Sequence, residues 1–165
     1  MPAILAVECF ADEDVVAFLR DEANLSVKRL HSFGQGDVIK DVFTRNKAEI
    51  GIVDEDPGKS HPRLRDEMQV ISSTIDIELR RRDGRHLIII KPELEECFLR
   101  SVKRVGVNSK LPSNAGDLQT LLNINNDRRH EAFRQELALL YRESRKKKVA
   151  SFVTDLEDVL RSLLH

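Results

Sequence analysis

The chain contains few of the residues that mark specialised classes of protein. It has no tryptophan, one tyrosine, two cysteines and seven glycines among 165 residues. Cys9 and Cys97 lack the paired spacing of a zinc site, so we expect both thiols to remain reduced. Without tryptophan, and with Tyr141 as its one tyrosine, the sequence contains no evident aromatic platform for reading bases.

Charge and hydropathy exclude further classes. No apolar run approaches the length of a membrane span, and the N-terminus lacks the layout of a secretory signal. The net charge of −1 means that any attraction to nucleic acid must come from local patches. With 41% hydrophobic and 33% charged residues, the composition is that of a globular protein. We therefore expect one compact cytoplasmic unit that does not enter a membrane.

Alternating apolar and amphipathic segments predict an α/β fold. Residues 3–7 and 48–53 are continuous apolar runs typical of buried parallel strands, and residues 27–33 form a weaker one. Amphipathic helical patterns separate these three segments. Such alternation implies parallel pairing with right-handed crossovers.

The pattern changes after the third strand. Residues 64–70 are compatible with a short helix, and Asp83 and Gly84 supply a turn between two apolar strands, which predicts a hairpin. We therefore expect a mixed, mostly parallel sheet of about five strands flanked by helices. Residues 1–92 would form this α/β core, and residues 93–165 a helical extension packed on it.

Carboxylates follow two of the predicted parallel strands. Asp54 and Asp56 come after the third strand, and Glu8 ends the first. Because the carboxyl ends of parallel strands share one sheet edge, these acids should converge and repel unless a cation or proton compensates. Oxygen ligands of this kind suit Mg²⁺ or Mn²⁺. The alternative is that the acidic segment before Pro57 is a solvated turn, with Asp12 serving as a helix cap or first-turn residue.

The acidic motifs resemble those of the Toprim domain of topoisomerases, primases and overcoming-lysogenization-defect-type nucleases. The matching segments are Val-Glu-Cys-Phe-Ala-Asp at residues 7–12 and Val-Asp-Glu-Asp-Pro-Gly at residues 53–58. The resemblance covers roughly the first 90 residues, and Cys9 stands where the family usually has glycine. It implies that Asp54 and Asp56 bind Mg²⁺, and that Glu8 binds metal or acts as general acid/base.

Two cationic features accompany the acidic motifs. Lys91 ends an apolar strand, so its ammonium group would either contact a scissile phosphate or pair with Asp54. The predicted hairpin tip carries four arginines that would contact nucleic-acid backbone or form a solvated surface: Arg80, Arg81, Arg82 and Arg85.

These patterns favour Mg²⁺-dependent chemistry on nucleic-acid phosphodiesters, by a nuclease or a nuclease subunit. A separate ATPase or another protein is an expected partner, and the apolar stripe over residues 149–163 would pair two copies of the chain or pack on the core. Two alternatives remain open: a Toprim-like binding subunit without catalysis, and a phosphoacceptor receiver domain with Asp54 and Lys91-Pro92 in its functional positions.

Overall fold

The structure is a computed structural model that describes residues 1–55 and 67–164. Within this part of the chain the strands are β1 (Ala3–Val7), β2 (Val27–His31), β3 (Ile50–Asp54), β4 (Gln69–Ser73), β5 (Ile77–Arg82) and β6 (Arg85–Ile90). The helices are α1 (Phe10–Asp21), α2 (Gln35–Phe43), α3 (Leu94–Val105), α4 (Ala115–Leu122), α5 (Asp127–Lys147) and α6 (Phe152–Leu163). The predicted α/β class and helical C-terminal part are confirmed.

The described strands form one mixed sheet in the order β2-β1-β3-β6-β5-β4. Strands β2, β1, β3 and β6 are mutually parallel. On one side of them β5 pairs antiparallel with β6, and β4 pairs antiparallel with β5. Asp83 and Gly84 both have positive φ, as a tight hairpin turn between β5 and β6 requires. The mixed, mostly parallel sheet is therefore confirmed.

The sheet has six described strands rather than about five, because the helix predicted near residues 64–70 is wrong where the structure describes it. Residues from Gln69 to Ser73 instead form β4, which pairs with β5. The β-branched residues Val70 and Ile71 favour an extended conformation. Tertiary pairing with β5 decides between the two local options.

Strand register determines which residues share an edge of the sheet. Val7 lies beside His31 of β2 and Ile52 of β3, and Asp54 lies beside Ile90 of β6. The residues that follow these strands therefore meet at the carboxyl edge. The β5–β6 hairpin tip lies at the opposite edge, about 16 Å away along a five-residue strand.

The core has two layers, one on each face of the sheet. Leu5, Ile52 and Ile88 belong to the larger layer, which α1 and the C-terminal helices cover. Ala6 and Leu87 belong to the smaller layer, which α2 covers. Burial on both faces explains why the central strands are continuous apolar runs. No helix in the described part of the chain is both long and apolar enough to cross a membrane.

Gly51 of β3 lies where α2 approaches the sheet most closely. A Cβ atom added there would lie 2.8 Å from Val38 Cγ1 and 3.0 Å from Leu87 Cδ1. Both neighbours are fully buried, so neither has room to move. We expect Gly51→Ala to lower the free energy of unfolding by about 1–3 kcal/mol through overpacking, as measured by urea denaturation.

Gly116 of α4 provides the matched control, because it is exposed and an added Cβ would meet only the Asn114 side chain, at 3.5 Å. Gly116→Ala should leave stability unchanged or raise it by up to about 1 kcal/mol, since alanine is the better helix former. A Gly51→Ala protein as stable as wild type would contradict this account of the β3–α2 packing.

Candidate carboxylate site

Four acidic side chains from different elements form a group at the carboxyl edge of the sheet, which we call the carboxylate cluster. Glu8 follows β1, Asp12 lies in the first turn of α1, Asp54 ends β3, and Glu95 lies in the first turn of α3. Burial, followed by the negative charges of Asp12, Glu8 and Glu95, raises the pKa of Asp54 to about 10. The four carboxylates therefore share one electrostatic environment.

Glu8 and Asp54 are joined directly although 46 positions separate them in sequence. The Asp54 backbone N–H donates to Glu8 Oε1 at 2.8 Å, and the Leu94 backbone N–H donates to Asp54 Oδ1 at 3.0 Å. The Gln35 side-chain amide donates to the Asp54 carbonyl oxygen at 2.6 Å. Groups from α2 and α3 thus fix the end of β3, and the end of β3 orients Glu8.

Asp12 is the most enclosed member of the cluster. Its exposed fraction is 1%, and no cationic side chain faces it among the described residues; only the Cys9 thiol and the Glu8 backbone interact with its carboxylate and lower its pKa. Burial and then the negative charge of Glu8 raise its pKa well above the usual range. Of the two roles predicted for Asp12, the cap is wrong, because α1 begins at Phe10 with Cys9 as its N-cap residue, and the first-turn position is confirmed. From this position its carboxylate lies beside Glu8 and Glu95.

Glu95, in the first turn of α3, is the fourth member of the cluster. Its exposed fraction is 5%, and its Oε2 has no hydrogen-bond partner among the described residues. Burial is the main cause of its raised pKa, and the charges of Glu93 and Glu8 add to it. Buried carboxylates that share a site cannot all remain ionised without compensation. At neutral pH the cluster must therefore take up protons or a cation.

The cluster overlaps only in part with the metal ligands predicted from sequence. Glu8 and Asp54 meet as expected, whereas Asp56 lies outside the described residues. In that described portion, no group of three or more histidine, cysteine, aspartate or glutamate side chains is arranged to hold a metal ion. The donor chemistry suits a hard divalent cation, because all four groups are carboxylates.

Lys91 follows β6 at the same edge, but its side chain extends toward β4. Its ammonium Nζ donates to Ser73 Oγ at 2.8 Å. The ion pair with Asp54 that the sequence left open is not among the contacts of the described residues. The catalytic role of Lys91 stays a prediction, and it requires the side chain to leave Ser73.

The four hairpin arginines occupy the edge opposite the cluster, and each contacts the protein itself. Arg80 Nε donates to Glu78 at 2.8 Å, and Arg85 donates to the Ala48 carbonyl oxygen at 2.6 Å. Arg82 pairs with Glu67 at 3.0 Å, and Arg81 contacts Gln69 at 3.4 Å. Nucleic-acid binding by these arginines stays a prediction. Because they lie at the opposite edge of the sheet, one phosphate could not contact both these arginines and the carboxylate cluster.

Sequence reasoning missed two members of the cluster as functional residues. Asp12 lies four positions after Glu8, inside the segment that carries the Toprim resemblance, but its place before a helix favoured a structural role. Glu95 follows the hairpin and has no motif of its own. Only the packing of α3 against the end of β3, through the Leu94 N–H, brings it to the site.

Comparisons with protein-family models, with curated proteins and with solved structures find no match to this chain.

Proposed function

We propose that this chain is a Toprim-like protein that uses Mg²⁺ or Mn²⁺ in phosphodiester chemistry on nucleic acid, as a nuclease or as the nuclease subunit of a larger assembly. The carrying observation is Asp12, a carboxylate that is 1% exposed and lies beside the carboxylates of Glu8 and Glu95. Burying such a group is costly unless something positive faces it. A divalent cation would compensate this negative charge and would also allow the site to catalyse phosphodiester chemistry.

The Toprim-like part of the proposal is supported by the strand arrangement. β1 and β3 are parallel neighbours, and the acids that end them lie at one edge of the sheet. This is the relation that the resemblance of residues 7–12 and 53–58 implies for a shared metal site. Asp56 would extend the same ligand set.

The four side chains of the cluster would have different roles. Asp12, Asp54 and Glu95 are the residues that would hold the cation, which supplies neutralisation of phosphate charge and a more acidic bound water. The Leu94 N–H fixes Asp54 Oδ1 and leaves Oδ2 for a ligand. Glu8 is only partly buried and is held at Oε1 by the Asp54 N–H, so it is the member placed to bind metal or to exchange a proton with substrate.

A test of this proposal compares Mn²⁺ binding and cleavage in wild type and Glu8→Gln. We expect wild type to bind Mn²⁺ by calorimetry and to cleave DNA or RNA only when the metal is present. Glu8→Gln should lose at least tenfold in Mn²⁺ affinity, because a charged oxygen donor becomes neutral while the side-chain shape is kept. The control is Asp158→Asn, which removes an exposed carboxylate of α6 and should change neither property.

Two results would contradict the metal proposal. One is wild-type protein that binds no Mn²⁺ in calorimetry. The other is Glu8→Gln protein that keeps both wild-type Mn²⁺ affinity and wild-type cleavage, because Glu8 would then neither bind the metal nor exchange a proton with substrate.

A binding subunit without catalysis is the second candidate. It is favoured by the lack of a ready metal-holding group in the described part of the chain, and by Cys9 at the usual glycine position. Binding of nucleic acid that does not require a metal and is not followed by cleavage would identify it. The receiver alternative is disfavoured, because β4 and β5 are antiparallel, whereas a receiver has parallel strand–helix units before its last strand.

A further inference from the structure

Three rings form a connected row beside the carboxylate cluster, which we call the aromatic row. The Phe10 and His31 rings are stacked, with centroids 5.3 Å apart and an interplanar angle of 21°. The Phe33 ring stands edge-on to His31, with centroids 5.5 Å apart at 88°. These are preferred geometries for aromatic pairs, so the rings support one another in a fixed arrangement.

Phe33 ends the row in solvent. Its exposed fraction is 85%, and it follows β2 in a loop whose next residue, Gly34, has φ of +99°. A Cβ atom added at Gly34 would meet nothing within 4 Å, so the space beside Phe33 is open. A large apolar ring that contacts His31 edge-on and otherwise faces solvent has room to receive a flat partner.

Register places the aromatic row on the same edge as the cluster. His31 lies directly beside Val7, the residue before Glu8, and Phe10 begins the helix that carries Asp12. β2 and β3 flank β1, so the loop carrying Phe33 and the end of β3 are separated by about two strand spacings, or ~10 Å. A chain of a few nucleotides spans that distance, given a rise of about 3.4 Å per stacked nucleotide.

The surface around the row is charged rather than apolar. β2 is an outer strand of the described sheet, and Arg29 is exposed on the same face of β2 as His31, whose Nδ1 lies 3.3 Å from Glu13. Arg29 lies 3.6 Å from Glu13 and remains about half exposed. A stacking ring near a half-exposed arginine suits a base attached to phosphates, whereas a protein-binding groove would need a continuous apolar surface.

We propose that the aromatic row stacks an unpaired base of single-stranded nucleic acid and so guides the adjacent phosphodiester toward the carboxylate cluster. The inference rests on the proposed function for the identity of the polymer. Stacking requires a base outside a duplex, because paired bases already stack on one another. It also tolerates any base, since every base has a π-face.

The lack of native tryptophan makes Phe33→Trp a direct reporter of stacking. We expect the fluorescence of this single introduced indole to be quenched by oligothymidylate or oligouridylate, with little response to an abasic strand of equal length. Phe33→Ala should bind the same strands about 5- to 100-fold more weakly than wild type, the range for loss of one stacked base. Comparing the DNA and RNA strands tells which polymer is preferred.

The matched control is Ile75→Ala, which removes another exposed apolar side chain, 65% exposed, before β5. It should bind oligonucleotides as wild type does. Four results would each overturn the stacking proposal. The Phe33→Trp fluorescence is not quenched, or no strand binds at all. Abasic strands bind as tightly as normal ones, or Phe33→Ala binds with wild-type affinity.

The measurements separate this inference from the metal proposal. Quenching with no Mn²⁺ binding and no cleavage would support the aromatic row and contradict the proposed function. Mn²⁺-dependent cleavage that is unaffected by Phe33→Ala, with no quenching in the Phe33→Trp protein, would support the proposed function and contradict the stacking proposal.

Discussion

Asp54→Asn is expected to make the metal-free protein more stable and to abolish its stabilisation by Mg²⁺. In wild type, Asp54 is surrounded by Asp12, Glu8 and Glu95, and burial and these charges raise its pKa to about 10. Asparagine carries no charge, and its side-chain oxygen can still accept the hydrogen bond from the Leu94 N–H. We expect a gain of about 1–3 kcal/mol in the free energy of unfolding at pH 8, measured by urea denaturation in EDTA.

The pH dependence of the same quantity follows from the raised pKa. Between about pH 4 and pH 10 the folded state binds more protons at Asp54 than the unfolded state, whose carboxyl has its ordinary pKa. The free energy of unfolding of metal-free wild type should therefore fall as pH rises through this window. The maximum slope for one group is about 1.4 kcal/mol per pH unit, and Asp54→Asn should reduce the slope.

Addition of Mg²⁺ should narrow or reverse the difference in stability between Asp54→Asn and wild type. A cation that binds only the folded state stabilises it by about 2.7 kcal/mol at a hundred times its dissociation constant. Wild type should gain this stabilisation, while Asp54→Asn should gain little. Asp158→Asn, at an exposed position of α6, should follow wild type throughout. A metal-free Asp54→Asn protein less stable than wild type would show that the cluster carries no unfavourable charge.

Asp76→Ala is expected to destabilise the fold strongly. Asp76 is fully buried, and its carboxylate accepts from Arg100 at 2.8 Å and from both Arg104 terminal nitrogens at 3.3 Å. Alanine would leave two guanidinium groups beside an emptied site, each about one third exposed. We expect a loss of about 2–4 kcal/mol in urea denaturation, below the full cost of an unpaired buried charge because water reaches the arginines.

An exposed ion pair provides the control for Asp76. Asp21 lies 2.8 Å from Arg20, with the two side chains 61% and 51% exposed, so Asp21→Ala should change stability by no more than about 0.5 kcal/mol. Equal effects of the two substitutions would contradict the proposed role of burial. Asp76→Asn should fall between wild type and Asp76→Ala, since it keeps one acceptor oxygen for the arginines.

The ion pairs of Asp76 with Arg100 and Arg104 also connect the stability of the fold to the carboxylate cluster. Arg100 and Arg104 lie on α3, and their bonds to Asp76 fix that helix against the start of β5. The first turn of α3 carries Glu95, and the Leu94 N–H holds Asp54. Loss of the Asp76 pair should therefore weaken Mn²⁺ binding as well as folding.

Much of the architecture was predictable because it depends on local patterns. Continuous apolar runs identify strands buried on both faces, and the positive φ angles needed at Asp83 and Gly84 match residues that tolerate them. The β4 segment was not predictable in this way. Its residues are compatible with either state in isolation, and pairing with β5 selects the strand.

The candidate site divides along the same line. Glu8 and Asp54 were predictable as neighbours, because each ends a buried strand and parallel strands place such ends together. The sequence showed that Asp12 is an acidic residue near the start of a helix. It did not show that Asp12 is buried in the cluster, because this depends on how α1 packs on the sheet. Lys91 was predicted to face this site, whereas its hydrogen bond to Ser73 depends on a strand that local patterns did not reveal.

Local chemistry alone therefore decided the α/β class, the hairpin and the meeting of Glu8 with Asp54, because each follows from side-chain periodicity and strand direction. The three-dimensional fold decided the rest. Glu95 reaches the cluster because α3 packs against the end of β3, where the Leu94 N–H binds Asp54. Phe10, His31 and Phe33 form a row because α1 and the end of β2 pack together. Such contacts join residues far apart in the chain, and no local pattern encodes their distance.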